Sequence, residues 1–477
     1  MNHKFPFILL GVVVVLMQAC AIPQISTKAV EDPLPASYAV SSRDTVHTTA
    51  RVDWREYFDD PYLTELIDSA LVNNQEVNIL LQRISRASNE IQARRGEYQP
   101  FVTAGVGADV DKVGRYTRNG AVEDNLNITE DREFPELLGN LQLGLYASWE
   151  LDVWHKLRNA QQVSVLEYLA SVEGRHFVIT KLVAEIADSY YELIALDNQL
   201  DNLERNIRIQ QDALQVVNLL QQAGRANSLA VRRFEAEVQK NQANIYDLRQ
   251  RIAATENRIN FLVGRPPQPI ERYSDNFLEL NPPVIETGVP SQLLENRPDI
   301  RQAELELAAA RLNIEVARAN FYPSFGIKAG LGYQAFNPRY LLSTPESLVL
   351  NLAGEAVAPL VNKKAIVAEY QNASASQIEA AYEYERTILN AYTEVATQLS
   401  NLDNLRRSYQ LKEQQVASLT ESIEIANQLF QSARADYMEV LLTQRDALEA
   451  RMELIETKQA QLSAMVHLYQ ALGGGWR

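Results

Sequence analysis

"FVTAGVGADV", residues 101–110, alternates one residue at a time. Val102, Ala104, Val106, Ala108 and Val110 fall on one side, and Thr103, Gly105, Gly107 and Asp109 on the other. In an extended chain successive side chains point to opposite faces, so this run predicts a strand with one apolar and one polar face. Pro100, just upstream, ends the helix-forming run before it. Three further segments read the same way. Leu141, Leu143, Leu145, Ala147, Trp149 and Leu151 alternate with polar or small residues, as do Phe325, Ile327, Ala329, Leu331 and Tyr333. Leu348, Leu350, Leu352, Ala356 and Ala358 face the opposite way from Asn351 and Glu355. About ten residues of strict alternation match a transmembrane β-strand with a lipid face and a lumen face. A half-buried antiparallel sheet in a soluble domain fits the local pattern equally. The long polar segment "RYTRNGAVEDNLNITEDREFPE" (115–136) between the first two runs has the character of an extracellular loop. Four strands cannot close a barrel, and lipid does not tolerate an open edge. Strands that span a membrane here therefore require several chains in one barrel, and three chains would supply twelve strands.

Working outward, the chain repeats itself. Ile91, Arg95 and Pro100 recur as Ile314, Arg318 and Pro323, all at a separation of 223, as do Leu71 and Asn73 in Leu294 and Asn296. Past the strands the separation becomes 209: Arg225, Ala226 and Val231 recur as Arg434, Ala435 and Val440. Each copy reads helix, strand pair, long helix, break, long helix. The first helices are expected over 62–98 and 298–320. The repeats span 54–264 and 290–477, with a linker over 265–289.

The long helices carry apolar stripes at three- and four-residue spacing. Leu196, Leu200, Leu203, Ile207, Leu214 and Val217 form one; Val238, Ile245, Leu248, Ile252, Ile259 and Leu262 form the next, with Asn241 and Thr255 in the seam. Met438, Leu441, Leu448, Met452, Ile455, Leu462, Val466 and Tyr469 keep heptad spacing. Such stripes predict coiled-coil packing. The breaks between long helices fall at Gly224 in "AGRANSLAV" (223–231) and at Ala433 in "SARADYMEV" (432–440).

At the N-terminus, His3 and Lys4 precede an apolar run from Phe5 to Met17, too short to span a bilayer and suited to a signal peptide over 1–19. Cys20 is the only cysteine among 477 residues, so no intrachain disulfide forms. "LMQAC" resembles the bacterial lipoprotein signal, with Met17 and Gln18 departing from it and Ala19 fitting. Lipidation of Cys20 and a lipid-anchored segment over 20–53 are expected, against an unmodified cysteine in a discarded leader. A net charge of −16 without a basic cluster argues against a nucleic-acid partner. The five histidines form no metal-spaced pair, and no phosphate loop or nucleophile elbow occurs. Neither a cofactor nor an enzymatic activity is expected.

"WREYFDDPYLTELIDSALVNN" (54–74), "LLENRPDI" (293–300), "ARANFYPSF" (317–325) and "LYQALGGGW" (468–476) together resemble the outer-membrane efflux proteins, the TolC-like family, in its lipoprotein branch. The resemblance implies an α+β membrane protein: a homotrimer whose twelve-stranded β-barrel, four strands per chain, is continued by a coiled-coil helical tunnel. It implies an outer-membrane address, a periplasmic adaptor and an inner-membrane RND-type transporter as partners, and passive conduction of drugs or other small toxic compounds. Gly224, Arg225, Ala433 and Arg434 would then lie at the periplasmic tips where the adaptor docks. Met438, Glu439 and Leu442 would form the gate, since relatives often carry an acidic residue at the position of Leu442. An exit duct for protein or peptide secretion is a second reading of the same architecture. A structural coiled-coil surface protein is a third, disfavoured by the paired strands and the duplication.

Overall fold

The computed structural model describes residues 22–30, 34–35, 37–38, 47–274, 276–280, 286–359, 363–432 and 434–477. The expected leader over 1–19, Cys20 and Ala433 lie outside them. In chain order the elements are α1 (Trp54–Phe58), α2 (Pro61–Asn73), α3 (Gln75–Glu97), β1 (Phe101–Asp111), α4 (Arg118–Glu123), β2 (Asn127–Thr129), β3 (Arg132–Glu133) and β4 (Leu138–Leu151). Then follow α5 (Lys156–Gln222), α6 (Ser228–Val263), α7 (Leu293–Asn296), α8 (Pro298–Ala319), β5 (Ser324–Ala335), β6 (Leu348–Val357), α9 (Lys364–Gln431) and α10 (Tyr437–Ala471). With 67 residues at 1.5 Å rise, α5 is on the order of 100 Å long. No helix among the described residues is long and apolar enough to cross a membrane.

Two sequence expectations are corrected. The helix expected over 62–98 is broken at Asn74, which ends α2 with its backbone N–H on Ala70 and starts α3 by accepting from the N–H groups of Glu76 and Val77. The segment expected as a plain loop over 115–136 contains α4, capped by Thr117, and the β2–β3 hairpin, with an Arg115–Asp124 ion pair beside them.

The chain divides into two compact units. The first draws on described residues within 22–29, 85–168 and 305–381 and holds the main sheet, four antiparallel strands in the order β1-β4-β5-β6. Register is continuous: Val106 pairs with Leu143, Leu145 with Leu331, and Leu331 with Leu350. The apolar alternation of each strand therefore lands on one face. In the same unit Ile22 and Ile25 pack against Ile314, Phe321 and Tyr370. The Gln377 side chain grips the strap that follows, accepting from the Lys28 N–H and donating to the Lys28 carbonyl.

The second unit, residues 30–84, 169–304 and 382–477, is helical. Its largest core joins Trp54, Leu63 and Ile67 to Ile186, Tyr190 and Leu193 of α5 and to Leu462, Val466 and Tyr469 of α10. The stripe read from the sequence is buried as expected: Leu196, Leu203, Ile207 and Leu248 form one cluster, with Leu448 and Met452 against it. Asn241 sits buried in the seam and donates to Gln210.

The duplication is reproduced in backbone conformation at one joint. Gly264 and Gly473 both take a left-handed conformation, with φ of 80° and 93°. A Cβ on either would lie 2.4 Å from the Asn73 carbonyl oxygen or 2.5 Å from that of Asn296. Beside them Asn74 donates to the Leu262 carbonyl and Arg297 to the Ala471 carbonyl. These are the positions that the separations of 223 and 209 equate.

Candidate functional site

The main sheet has the two faces that a membrane wall needs. Val102, Val106, Val110, Leu143, Leu145, Leu350 and Leu352 stand exposed on one of them. The register places Asp109, Asn140, Gln142, Lys328, Gln334, Asn351 and Glu355 on the other. Polar groups there hold each other: Asn140 donates to Asp109 at 3.1 Å, Gln334 to Asn140 at 2.9 Å, and Lys328 pairs with Glu355 at 2.8 Å. Glycines alternate with them and leave room for side chains lying flat along the sheet. A Cβ at Gly107 would meet the Gln142 side chain at 2.6 Å, and one at Gly330 would meet Asn351 at 2.6 Å. The polar surface is thereby kept low, which leaves open any passage it lines. At 11, 14, 12 and 10 residues the strands reach or exceed the ~9–11 residues needed to cross hydrocarbon at a tilt. Among the described residues β1 and β6 each have a single neighbour in the sheet, so their outer edges are open.

The tips of the two helical hairpins repeat one turn. After α5, Gly224 has φ of 70°, and a Cβ there would touch nothing within 4 Å, so its backbone conformation rather than space calls for glycine. The N–H groups of Arg225 and Ala226 both donate to the Leu220 carbonyl, at 2.8 and 3.2 Å. In the second hairpin those of Arg434 and Ala435 donate to Leu429, at 2.8 and 3.3 Å. Asn227 then caps α6 by accepting from the Ala230 N–H at 2.9 Å, whereas Asp436 makes no such bond at the start of α10.

Beneath the tips Val217, Ala230, Val231, Phe234 and Leu441 form a small core. Among the residues expected to matter here, Arg225, Arg434, Glu439 and Leu442 are exposed. Met438 is half-buried against the core, and its sulfur accepts from Arg233 Nη1 at 3.4 Å. Glu439 and Leu442 thus share the open side of α10, and Met438 faces inward. Sequence reasoning did not single out Arg233, although it lies on the turn of α6 that faces Met438.

The buried joint described above holds a tight electrostatic cluster. Arg297 grips Asp299 through two bonds, of 3.0 and 2.6 Å, and Glu394 at 2.7 Å. Burial disfavours its charge, but these two carboxylates outweigh that and hold its pKa above the ordinary arginine value. Among the described residues no His, Cys, Asp or Glu cluster is arranged to hold a metal.

A two-faced sheet of membrane-crossing strands, on a chain whose long helices are amphipathic and coiled-coil-like, defines a channel protein of the outer-membrane type. The family model described as "Outer membrane efflux protein" matches residues 66–265 and 289–474, and the chain belongs to that family. Its place is therefore the outer membrane, and its work is efflux. The chain is 29% identical over 461 residues to the pyoverdine export outer membrane protein OpmQ of Pseudomonas putida, covering 96% of this chain and 95% of that protein. It is 28% identical to the cation efflux system protein CusC of Escherichia coli K12, over 93% of this chain and 94% of that one. Among solved structures, one of CusC superposes with a TM-score of 0.82 at 25% identity, covering 95% of this chain and 99% of the other. One of the outer-membrane channel OprN gives 0.84 at 23% identity, over 96% and 99%.

Proposed function

We propose that this protein is the exit duct of a tripartite efflux pump, three copies closing one twelve-stranded barrel. The observation that carries this reading is the main sheet. It has an apolar face, a polar face and two open edges, and lipid tolerates no unpaired edge. Joining β6 of one copy to β1 of the next satisfies both edges at once. Cys20 carries the lipid anchor. Gly224, Arg225, Ala433 and Arg434 present the tips to a periplasmic adaptor, which connects the duct to an inner-membrane RND-type transporter. Glu439 and Leu442 narrow the entrance, with Met438 bracing them from behind.

Cargo passes down its gradient of access, and the partner transporter supplies the energy. The cargo class is drugs or other small toxic compounds, supported by relatives named for pyoverdine export, cation efflux and solvent efflux. Deleting the gene and measuring dye accumulation and growth in detergents tests this. Increased accumulation and sensitivity are expected. Unchanged sensitivity to every small compound, with a secreted protein retained in the cell, would overturn it in favour of a secretion duct.

A further inference from the structure

We propose that Met438 is a site of oxidative modification, and that its sulfoxide binds Arg233 and so ties the start of α10 to α6. The consequence for conduction rests on the entrance reading given above, whereas the modification itself does not.

The first observation is a cation with little to hold. Arg233 is exposed on α6 and donates to the Met438 sulfur from Nη1 at 3.4 Å, with no carboxylate in ion-pair contact among the described residues. Its neighbour Arg232, in contrast, is paired with Glu235 at 2.7 Å. A guanidinium offers five N–H donors and a thioether is a weak acceptor, so the contact with Met438 leaves most of that capacity unused. An oxygen on the sulfur would turn it into a charge-assisted hydrogen bond.

The second observation is access. Of the five methionines, Met1 and Met17 lie outside the described residues. Met465 is 4% exposed, inside the core around Trp54, and Met452 packs against the cluster of Leu203 and Leu248. Met438 is half-buried at a hairpin tip, with its sulfur beside an exposed side chain. An oxidant reaches it from solvent, and the new oxygen finds Arg233 there. In the core of Met465 the same oxygen would be a buried polar group without a partner.

Hypochlorous acid supplies the oxygen. A sulfur lone pair attacks it, the O–Cl bond breaks, chloride leaves with the bonding pair, and the hydroxyl proton passes to water. Sulfur is thereby oxidised by two electrons and chlorine reduced by two. Hydrogen peroxide does the same and releases water.

The new bond falls where the fold lacks one. Met438 is the second residue of α10, whose start receives no side-chain hydrogen bond from Asp436. A sulfoxide held by Arg233 secures that turn to α6 beside the small core of Phe234 and Leu441. An entrance built from such tips opens less readily after exposure to oxidant, and it recovers when the sulfoxide is reduced enzymatically.

Treating the full-length protein with hypochlorous acid and following each methionine by peptide mass spectrometry tests the site. Met438 is expected to oxidise about tenfold faster than Met465, and ahead of Met452. A rate for Met438 no greater than that of Met465 overturns the inference. Hydrogen exchange at the amides of residues 439–442 tests the tie to α6. Oxidation is expected to slow it about tenfold, and Met438→Gln, which offers a carbonyl oxygen to Arg233, should slow it likewise. Both effects should vanish in an Arg233→Gln background. Faster exchange after oxidation, or equal slowing without Arg233, overturns the inference, because oxidation would then act through packing alone. In planar bilayers the oxidised channel should open less often than the reduced one, and unchanged opening overturns the consequence for conduction. Slowed exchange in a protein that forms no channel overturns the entrance reading and leaves the modification standing.

Discussion

At Gly473 two constraints coincide: a backbone angle that side chains strain to adopt and a carbonyl oxygen where a Cβ would sit. Gly224 shares only the first. Gly473→Ala should therefore destabilise the folded chain by about 1–3 kcal/mol, and Gly224→Ala by about 1–2 kcal/mol from backbone strain alone. Thermal unfolding of the two variants should rank them in that order. Arg297 is a consequential charged side chain in the second unit, because it neutralises two carboxylates and satisfies a helix-end carbonyl. Arg297→Met should cost about 3–5 kcal/mol by leaving Asp299 and Glu394 without their cation. A loss of melting temperature similar to that of an exposed arginine variant such as Arg406→Met would contradict this. The glycines at 473–475 were legible as part of the family-like segment "LYQALGGGW" (468–476). Arg297 was not, because a sequence does not reveal that an arginine beside a proline is buried.

The strands were the most legible elements, since alternation with a period of two survives any tertiary context in which one face meets lipid or core. All four lie within three residues of where the alternation predicts them. The break at Asn74 was missed because neither proline nor glycine marks it. The repeat held the missing signal: Pro298 opens α8 at the position equivalent to Gln75, so the joint before it could have been carried into the first copy. The small elements in 115–136 escaped because they depend on a local cap and an ion pair rather than on periodicity. At this scale the polar side of the sheet makes a sharp prediction. A Cβ on Gly332 would lie 2.4 Å from the Leu143 carbonyl oxygen, within the β4–β5 ladder itself. Gly332→Val should displace that ladder and abolish the heat-modifiable gel mobility of a folded barrel, whereas Gly354→Ala, which meets nothing within 4 Å, should leave it intact.

For the molecule as a whole, closure was legible and its completion was not. The sequence predicted strands too few to seal a barrel, but the open edges of the sheet become visible only when the chain is folded and strand neighbours are assigned. The entrance illustrates the same limit. The family resemblance placed Met438 and Leu442 together at the gate, while the folded hairpin turns Met438 toward Phe234 and leaves Leu442 outward with Glu439. In planar bilayers Leu442→Ser should therefore raise the conductance of the resting channel more than Met438→Ser does. Equal and unchanged conductance in both would remove the gate from this part of α10. One further consequence follows from the helix starts at the two tips. Asn227 fastens the first turn of α6 with a bond typically worth about 1 kcal/mol, and Asp436 provides no counterpart for α10. A ring assembled from such chains alternates stiff and soft hinges around its circumference, so its iris would dilate with threefold rather than sixfold symmetry.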